Sequence, residues 1–384
     1  ALAEAGREEE DASRFLTITR RGGRKALKVS NWVGVLAVGE HVIEVLPKPA
    51  ANREEGRQML LAMLRTAYPG AFRLFTEHGF SPEKMPLYEA FMQLFVESVE
   101  HVVRRGLRHD YVEVEENRRY FAGRLLVAPH IRINRGLHHK VYTAHDEFIA
   151  DWPANRLLRA GLELVLRRSG GDVQRRARQL VFAFQDVPPS RNVDADIRRL
   201  RVDRMMQHYE PALSWARWLL KGLGPFAPDE GARVRSVLFP MERVFQHYVG
   251  FLLRLKIGNL ELEPSRRLLK STHRYMMRPD YRFKHNGSQM IGDAKWKLLD
   301  AGSIKIRQAD LYQLYAYGRM CLNGGERRLF LFYPETGGMP GEEYEYNDDT
   351  ALKLRIVPTP LPKGQSFNFR DLANNLFQRM GLSI

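Results

Sequence analysis

Residues 278–297 read Arg-Pro-Asp-Tyr-Arg-Phe-Lys-His-Asn-Gly-Ser-Gln-Met-Ile-Gly-Asp-Ala-Lys-Trp-Lys, two β-rich runs joined by Asn286-Gly287. Asn-Gly in this setting is the strongest short hairpin signal, a two-residue type I′ turn whose central residues both need positive φ. That turn fixes a register. If His285 pairs with Ser288, opposed residue numbers sum to 573, so Lys284 faces Gln289, Phe283 faces Met290 and Asp280 faces Asp293. The two carboxylates then stand on one face, about 4.5–5.5 Å apart at Cβ. Like charges opposed across a ladder are destabilising, and a divalent cation removes the conflict. Oxygen donors without Cys or paired His favour Mg²⁺ or Mn²⁺ over zinc. Lys295 lies two residues beyond Asp293, on the same face by the strand period. An ammonium beside metal-bound carboxylates can orient or help deprotonate an attacking water and offset charge building on a phosphodiester. The plainer reading is a solvated hairpin with chance charges, and a bulge would break the register.

Around this hairpin the pattern predicts an α/β unit in the order αβββαβ, with one additional strand. Its elements are a helix over 241–255, strands over 260–263, 274–284 and 288–296, a helix over 303–322, and strands over 328–333 and 352–357. Upstream, residues 221–233 (KGLGPFAPDEGAR) concentrate Gly and Pro and mark a linker before a domain at 234–384. Residues 13–220 read as an α+β region. Its short β-rich runs between Phe15 and Leu46 predict a small antiparallel β unit, followed by helices over 54–67, 87–105, 154–168, 173–184 and 211–220. In the 87–105 helix, Ala90, Phe91, Leu94, Phe95, Val99, Val102 and Val103 form one apolar stripe, read as core. Strands and turns mix over 111–151, where His138, His139 and His145 lack a clear ligand spacing and predict no metal site. Residues 1–12 are acidic and small, and read as a disordered tail or a trimmed start.

The 384 residues carry 60 Lys+Arg against 45 Asp+Glu, a formal charge of +15, which points to polyanionic partners. Residues 231–300 hold 14 basic and 6 acidic side chains, so +8 of the excess sits in that stretch. No apolar run approaches the roughly 18 residues of a membrane span, and the acidic N-terminus is unlike a signal peptide. The single Cys321 excludes an internal disulfide framework and any multi-cysteine zinc site, which fits a cytoplasmic protein.

Pro279-Asp280, twelve intervening residues and Asp293-Ala-Lys295 resemble the PD-(D/E)xK nuclease signature, and Gln313-Leu-Tyr-Ala-Tyr317 resembles the Gln-x-x-x-Tyr motif of its RecB-like branch. At i, i+4 the Gln and Tyr side chains share one helix face. The whole chain further resembles the McrC family, the nuclease subunit of McrBC-type restriction systems that act on DNA containing modified cytosine. The matching pieces are VGVLAVGEHVIEVLPK (33–48), RRGLRHDYVEVEENRRYFAGRL (104–125), HDEFIADWPANRLL (145–158), and GDAKWK with DLYQLYAYG (292–318).

This resemblance implies a restriction-endonuclease-like C-terminal domain that cleaves double-stranded DNA. Asp280 and Asp293 would bind Mg²⁺ or Mn²⁺, the carbonyl of Ala294 would be a further ligand, and Lys295 would be the catalytic lysine. Many relatives carry a Phe-Glu pair in the first helix of the nuclease fold, where this chain has Phe245-Gln246. Gln246 offers a carbonyl without charge, which weakens the expected metal site. Glu242, one turn earlier, is either a substitute ligand or an ordinary exposed helix glutamate. No GxxxxGK[ST] phosphate loop is present. The resemblance assigns GTP to a separate McrB-like AAA+ GTPase hexamer, engaged through the N-terminal region. The basic turn Arg20-Arg21-Gly22-Gly23-Arg24-Lys25 reads as a solvated hairpin tip or as a partner or DNA contact. Two alternatives stand beside the nuclease reading: a non-cleaving, DNA-binding adaptor that regulates the GTPase, which Gln246 keeps open, and a stand-alone RecB-like nuclease, which the family-like pieces before residue 160 oppose.

Overall fold

The computed structural model describes residues 16–29, 31–38, 41–72, 85–136, 139–200, 204–221, 234–268, 276–299, 306–322, 326–336, 341–363 and 367–382. The expected tail 1–12 and nearly all of the expected linker lie outside them. The chain folds as two units. Described residues up to 72, 85–90 and from 234 onward form the first, and those from 91 to 221 form the second.

The first unit begins with the hairpin β1 (Leu16–Arg21) and β2 (Arg24–Val29), followed by β3 (Trp32–Val38), β4 (His41–Val45) and α1 (Arg53–Ala67). After the second unit come β5 (Val234–Pro240), α2 (Met241–Arg254), β6 (Glu261–Leu262), β7 (Tyr281–His285) and β8 (Ser288–Ala294). The chain continues through α3 (Gln308–Cys321), β9 (Arg327–Pro334), β10 (Glu342–Tyr346), β11 (Asp349–Thr359) and α4 (Phe369–Arg379).

The N-terminal region read over 13–220 divides between the two units. Strand β3 pairs on one edge with β4 and on the other with β5, from the far end of the sequence. Both edges are needed because Trp32, Val33 and Val35 are buried, and helix α1 packs against α2. The expected strand over 274–284 is also broken. Met276–Met277 forms a two-residue ribbon with Arg266–Arg267, and β7 starts at Tyr281. Pro279 lies between them without an N–H to donate to a ladder.

A six-stranded mixed sheet, in the order β10-β11-β9-β8-β7-β6, organises the site. Its centre is parallel, β8 with β9 and β9 with β11, and both edges are antiparallel. Ile291, Leu329, Leu331, Leu352, Leu354 and Ile356 bury one face under Leu314, Tyr317 and Cys321 of α3. The central strands are apolar runs because helices cover both sides: α2 packs on β8, and α4 packs on α2 and β11.

In the second unit, Asp110–Arg118, Val141–Ile149 and Arg124–Leu125 form an antiparallel sheet. Helix Val127–Asn134 packs on its central strand, and helices Gly171–Ala183, Val193–Arg199 and Glu210–Lys221 pack on helix Pro153–Arg168. Phe91, Leu94, Phe95, Val99 and Val102 of the predicted stripe are buried with Leu157 and Trp215.

Candidate active site

The hairpin forms in the register its sequence implies. Asn286 and Gly287 have φ of 48° and 79°, as a type I′ turn requires. The pairs His285↔Ser288, Lys284↔Gln289, Phe283↔Met290, Arg282↔Ile291 and Tyr281↔Gly292 follow. Asp280 directly precedes this ladder and Asp293 directly follows its last partner, so the two acids reach the same level of the sheet. Gly292, the last ladder residue before Asp293, is tightly enclosed: a Cβ there would lie 2.7 Å from Phe332 Cε2 and 3.0 Å from Tyr281 Cδ2.

Both acids are held by the chain. Asp280 Oδ2 accepts the Ala294 amide at 2.7 Å, and its Oδ1 accepts Gln246 Nε2 at 2.9 Å. Asp293 is 2% exposed, and Lys295 Nζ stands 2.6 Å from its Oδ2. Burial, followed by the charge of Asp293, pushes the Asp280 carboxyl well above the ordinary range. Burial likewise raises Asp293, against the pull of Lys295. Burial also opposes the charge on Lys295, yet Asp293 and Asp280 outweigh it and keep the ammonium above its usual value. Two buried carboxylates share one ammonium here, which leaves room for further positive charge.

Helix α3 sets the position of Asp280 from behind. Gln313 Nε2 donates to Tyr317 Oη at 2.8 Å, and Tyr317 Oη donates to the Arg278 carbonyl at 3.2 Å, two residues before Asp280. Lys297 Nζ reaches Asp310 Oδ2 at 2.6 Å, tying the exit of β8 to the first turn of α3. Glu242 Oε1 accepts Asn31 Nδ2 at 3.0 Å. The acid beside Asp280 is instead Glu263, which the sequence reading missed. Its amide donates to the Asp280 carbonyl at 2.9 Å, and its Oε1 accepts Gln246 Nε2 at 3.1 Å. The signal for it is the Leu262↔Tyr281 pairing, which sets residue 263 beside residue 280, and no local sequence feature states which strand β6 joins.

A family model described as McrBC 5-methylcytosine restriction system component matches residues 27–334. The chain belongs to the McrBC family. Residues 280, 293, 295, 313 and 317 all fall within the matched span, as do 246 and 263. The fold is similar to that of a chain in the Thermococcus gammatolerans assembly of McrB AAA+ hexamers with bound McrC, at 20% identity and a TM-score of 0.71, covering 97% of this chain and 86% of that one. A chain of the cryo-EM Thermococcus gammatolerans McrBC complex matches at 21% identity and a TM-score of 0.47, over 66% of this chain and 79% of that one. No curated protein matches in sequence.

Two other polar clusters lie in the second unit of this McrBC-family chain. His145 meets Glu116 and Glu147 at metal-ligand spacing. Arg118 already joins both carboxylates, at 2.7 and 2.8 Å, and occupies the place a cation would take. His145 Nε2 lies 2.8 Å from Glu147, and that contact, with Arg118, keeps Glu147 below the usual carboxylate range. His138 lies outside the described residues. A cavity of about 390 Å³ is lined by Asp151, Arg156, Arg191, Asp196 and Arg199. Its Arg156 is engaged by Asp151 and Asp196. Among the described residues no helix is long and apolar enough to cross a membrane.

Proposed function

We propose that this chain is the DNA-cleaving, McrC-like subunit of a GTP-dependent restriction complex directed at modified cytosine, and that the Asp280, Asp293 and Lys295 cluster is its Mg²⁺- or Mn²⁺-dependent endonuclease centre. The observation that carries this reading is the pair of buried carboxylates at one level of the sheet with Lys295 Nζ 2.6 Å from Asp293. The run α2, β6, β7, β8, α3, β9, apart from the short ribbon of residues 266–267 and 276–277 within it, fits the order αβββαβ of a PD-(D/E)xK core and supports that reading. The donor set fits a hard cation. It consists of buried carboxylate oxygens held above their ordinary pKa by burial. When bound, such a cation supplies Lewis-acid polarisation of the phosphodiester and a more acidic water.

The residues of the chain divide the remaining work. Asp280 and Asp293 hold the cation, with the Ala294 carbonyl as a further oxygen donor. Lys295, kept protonated by the two acids, offsets the charge that develops on the phosphate. Gln313 and Tyr317 fix the Arg278 carbonyl and so position Asp280. The basic excess over 231–300 supplies attraction to double-stranded DNA.

The partner in this reading is an McrB-like AAA+ GTPase hexamer, because the chain carries no phosphate loop of its own and shares the McrBC family. Exposed Tyr111 and Phe148, which face each other on paired strands of the second unit with rings 5.0 Å apart, supply an aromatic patch suited to a protein partner. The test is cleavage of a plasmid carrying modified cytosine by the full chain with its partner GTPase, GTP and Mg²⁺. Cleavage that disappears with chelator supports the nuclease. Stimulated GTP hydrolysis without any cleavage identifies the adaptor that Gln246 favours.

A further inference from the structure

We propose, resting on the metal-centre reading above, that Glu263 supplies the third carboxylate of the site, taking the role that Gln246 cannot fill from helix α2, and that the Gln246 amide holds Glu263 in register with Asp280. Three adjacent strands carry the argument. Leu262 pairs with Tyr281 and Tyr281 with Gly292, so Glu263 just after β6, Asp280 just before β7 and Asp293 near the end of β8 stand at one level of the sheet.

The local backbone is committed to that placement. Glu263 has φ of 47°, a left-handed conformation that residues with a side chain adopt rarely, and its amide bonds the Asp280 carbonyl. The amide of Gln246 donates to both acids, 3.1 Å to Glu263 Oε1 and 2.9 Å to Asp280 Oδ1, so these oxygens are at most the sum of the two distances apart, 6.0 Å. Between the buried Asp293 and solvent, this arrangement makes a graded row of oxygen donors. Mg²⁺ and Mn²⁺ suit such a row, since Mg²⁺ keeps several of its waters and is bound by few carboxylates. The neighbouring Glu261 gives the contrast. It is paired with Arg282, whereas no Lys or Arg pairs with Glu263 among the described residues.

The test is Mn²⁺ binding to the full chain, read by electron paramagnetic resonance of the free ion, for wild type, Glu263→Gln, Glu261→Gln and Asp293→Ala. Glu263→Gln keeps the acceptor for Gln246 and removes only charge. The expected result is Mn²⁺ binding weakened at least about 10–100-fold in Glu263→Gln, since that is the loss already caused by removing groups that only support metal ligands. It is accompanied by near wild-type affinity in Glu261→Gln and loss of binding in Asp293→Ala. Adding Gln246→Glu to Glu263→Gln returns the carboxylate to the helix and restores affinity. Wild-type affinity in Glu263→Gln, equal weakening in Glu261→Gln, or no rescue by Gln246→Glu overturns the proposal while Asp293→Ala still upholds the metal centre. Unchanged binding in Asp293→Ala overturns the metal-centre reading itself.

Discussion

Replacing Asp280 by Asn is expected to invert the stability order of mutant and wild type between metal-free and metal-loaded protein. Without metal, the wild-type chain buries two carboxylates at one level of the sheet, and relief of such a cross-strand repulsion amounts to about 0.2–1 kcal/mol. The substituted side chain still accepts the Ala294 amide through its carbonyl oxygen. Its own NH₂ then faces Gln246, whose amide turns to present its oxygen; the contact at residue 280 is kept, and the bond given up is the solvent-exposed one from Gln246 to Glu263, which water replaces. The net change in chelator is therefore stabilising by up to about 1 kcal/mol, or a rise in Tm of roughly 2–4 °C for a unit of this size. With Mg²⁺ at about 100 times its Kd, the wild type gains about 2.7 kcal/mol by mass action, and the variant, lacking a ligand charge, gains far less. The wild type then melts higher by several degrees. Thermal melts of both proteins with chelator and with Mg²⁺ are the assay. An Asp280→Asn protein that melts far lower in chelator shows the pair to be structural, and an equal Mg²⁺ gain in both shows that Asp280 is not a ligand.

The other expectations are more local. Asp280 and Asp293 both have folded pKa values raised above 3.8, so the folded chain binds more protons than the unfolded one from 3.8 up to those raised values. Their contribution to metal-free stability therefore falls as pH rises through that window. An Asp280→Asn, Asp293→Asn double variant is expected to show a flatter slope in melts from pH 4 to 8, and identical slopes refute the shift. Gly292→Ala drives a methyl against Phe332 and Tyr281 and is expected to cost about 1–3 kcal/mol; an unchanged denaturant midpoint contradicts the packing. Tyr317→Phe removes the hydroxyl that joins Gln313 to the Arg278 carbonyl, at about 1 kcal/mol of stability, and is expected to slow cleavage while partner GTP hydrolysis is unaffected. Cleavage at the wild-type rate removes Tyr317 from the positioning role.

The site was legible in sequence where its geometry is local. Asn286-Gly287 dictates its own turn, a turn dictates a register, and a register brings Asp280 to Asp293 and Lys295 to one face. The Gln313 and Tyr317 pair was equally legible, because i, i+4 spacing on a helix is a contact. What remained hidden depends on pairings between distant segments. Strand β3 joins β5 across some two hundred residues, so the N-terminal β unit could not be seen to be incomplete. Glu263 enters the site only because β6 pairs with β7, and Glu242, at a reasonable helical spacing, is engaged by Asn31 instead. Strand β10 and helix α4 were missed as well. β10 is a mostly exposed edge strand of alternating Glu and Tyr, whose apolar signal is weak.

The most direct test of the account is Lys295→Met. Methionine keeps the apolar stem, removes the ammonium 2.6 Å from Asp293, and leaves every oxygen donor in place. Cleavage of modified plasmid is measured with the partner GTPase, GTP and Mg²⁺, alongside GTP hydrolysis and Mn²⁺ binding by the same preparation. The account predicts that the variant binds Mn²⁺ and stimulates GTP hydrolysis while its cleavage rate falls by about 10²–10³-fold. Cleavage at the wild-type rate by Lys295→Met would contradict it.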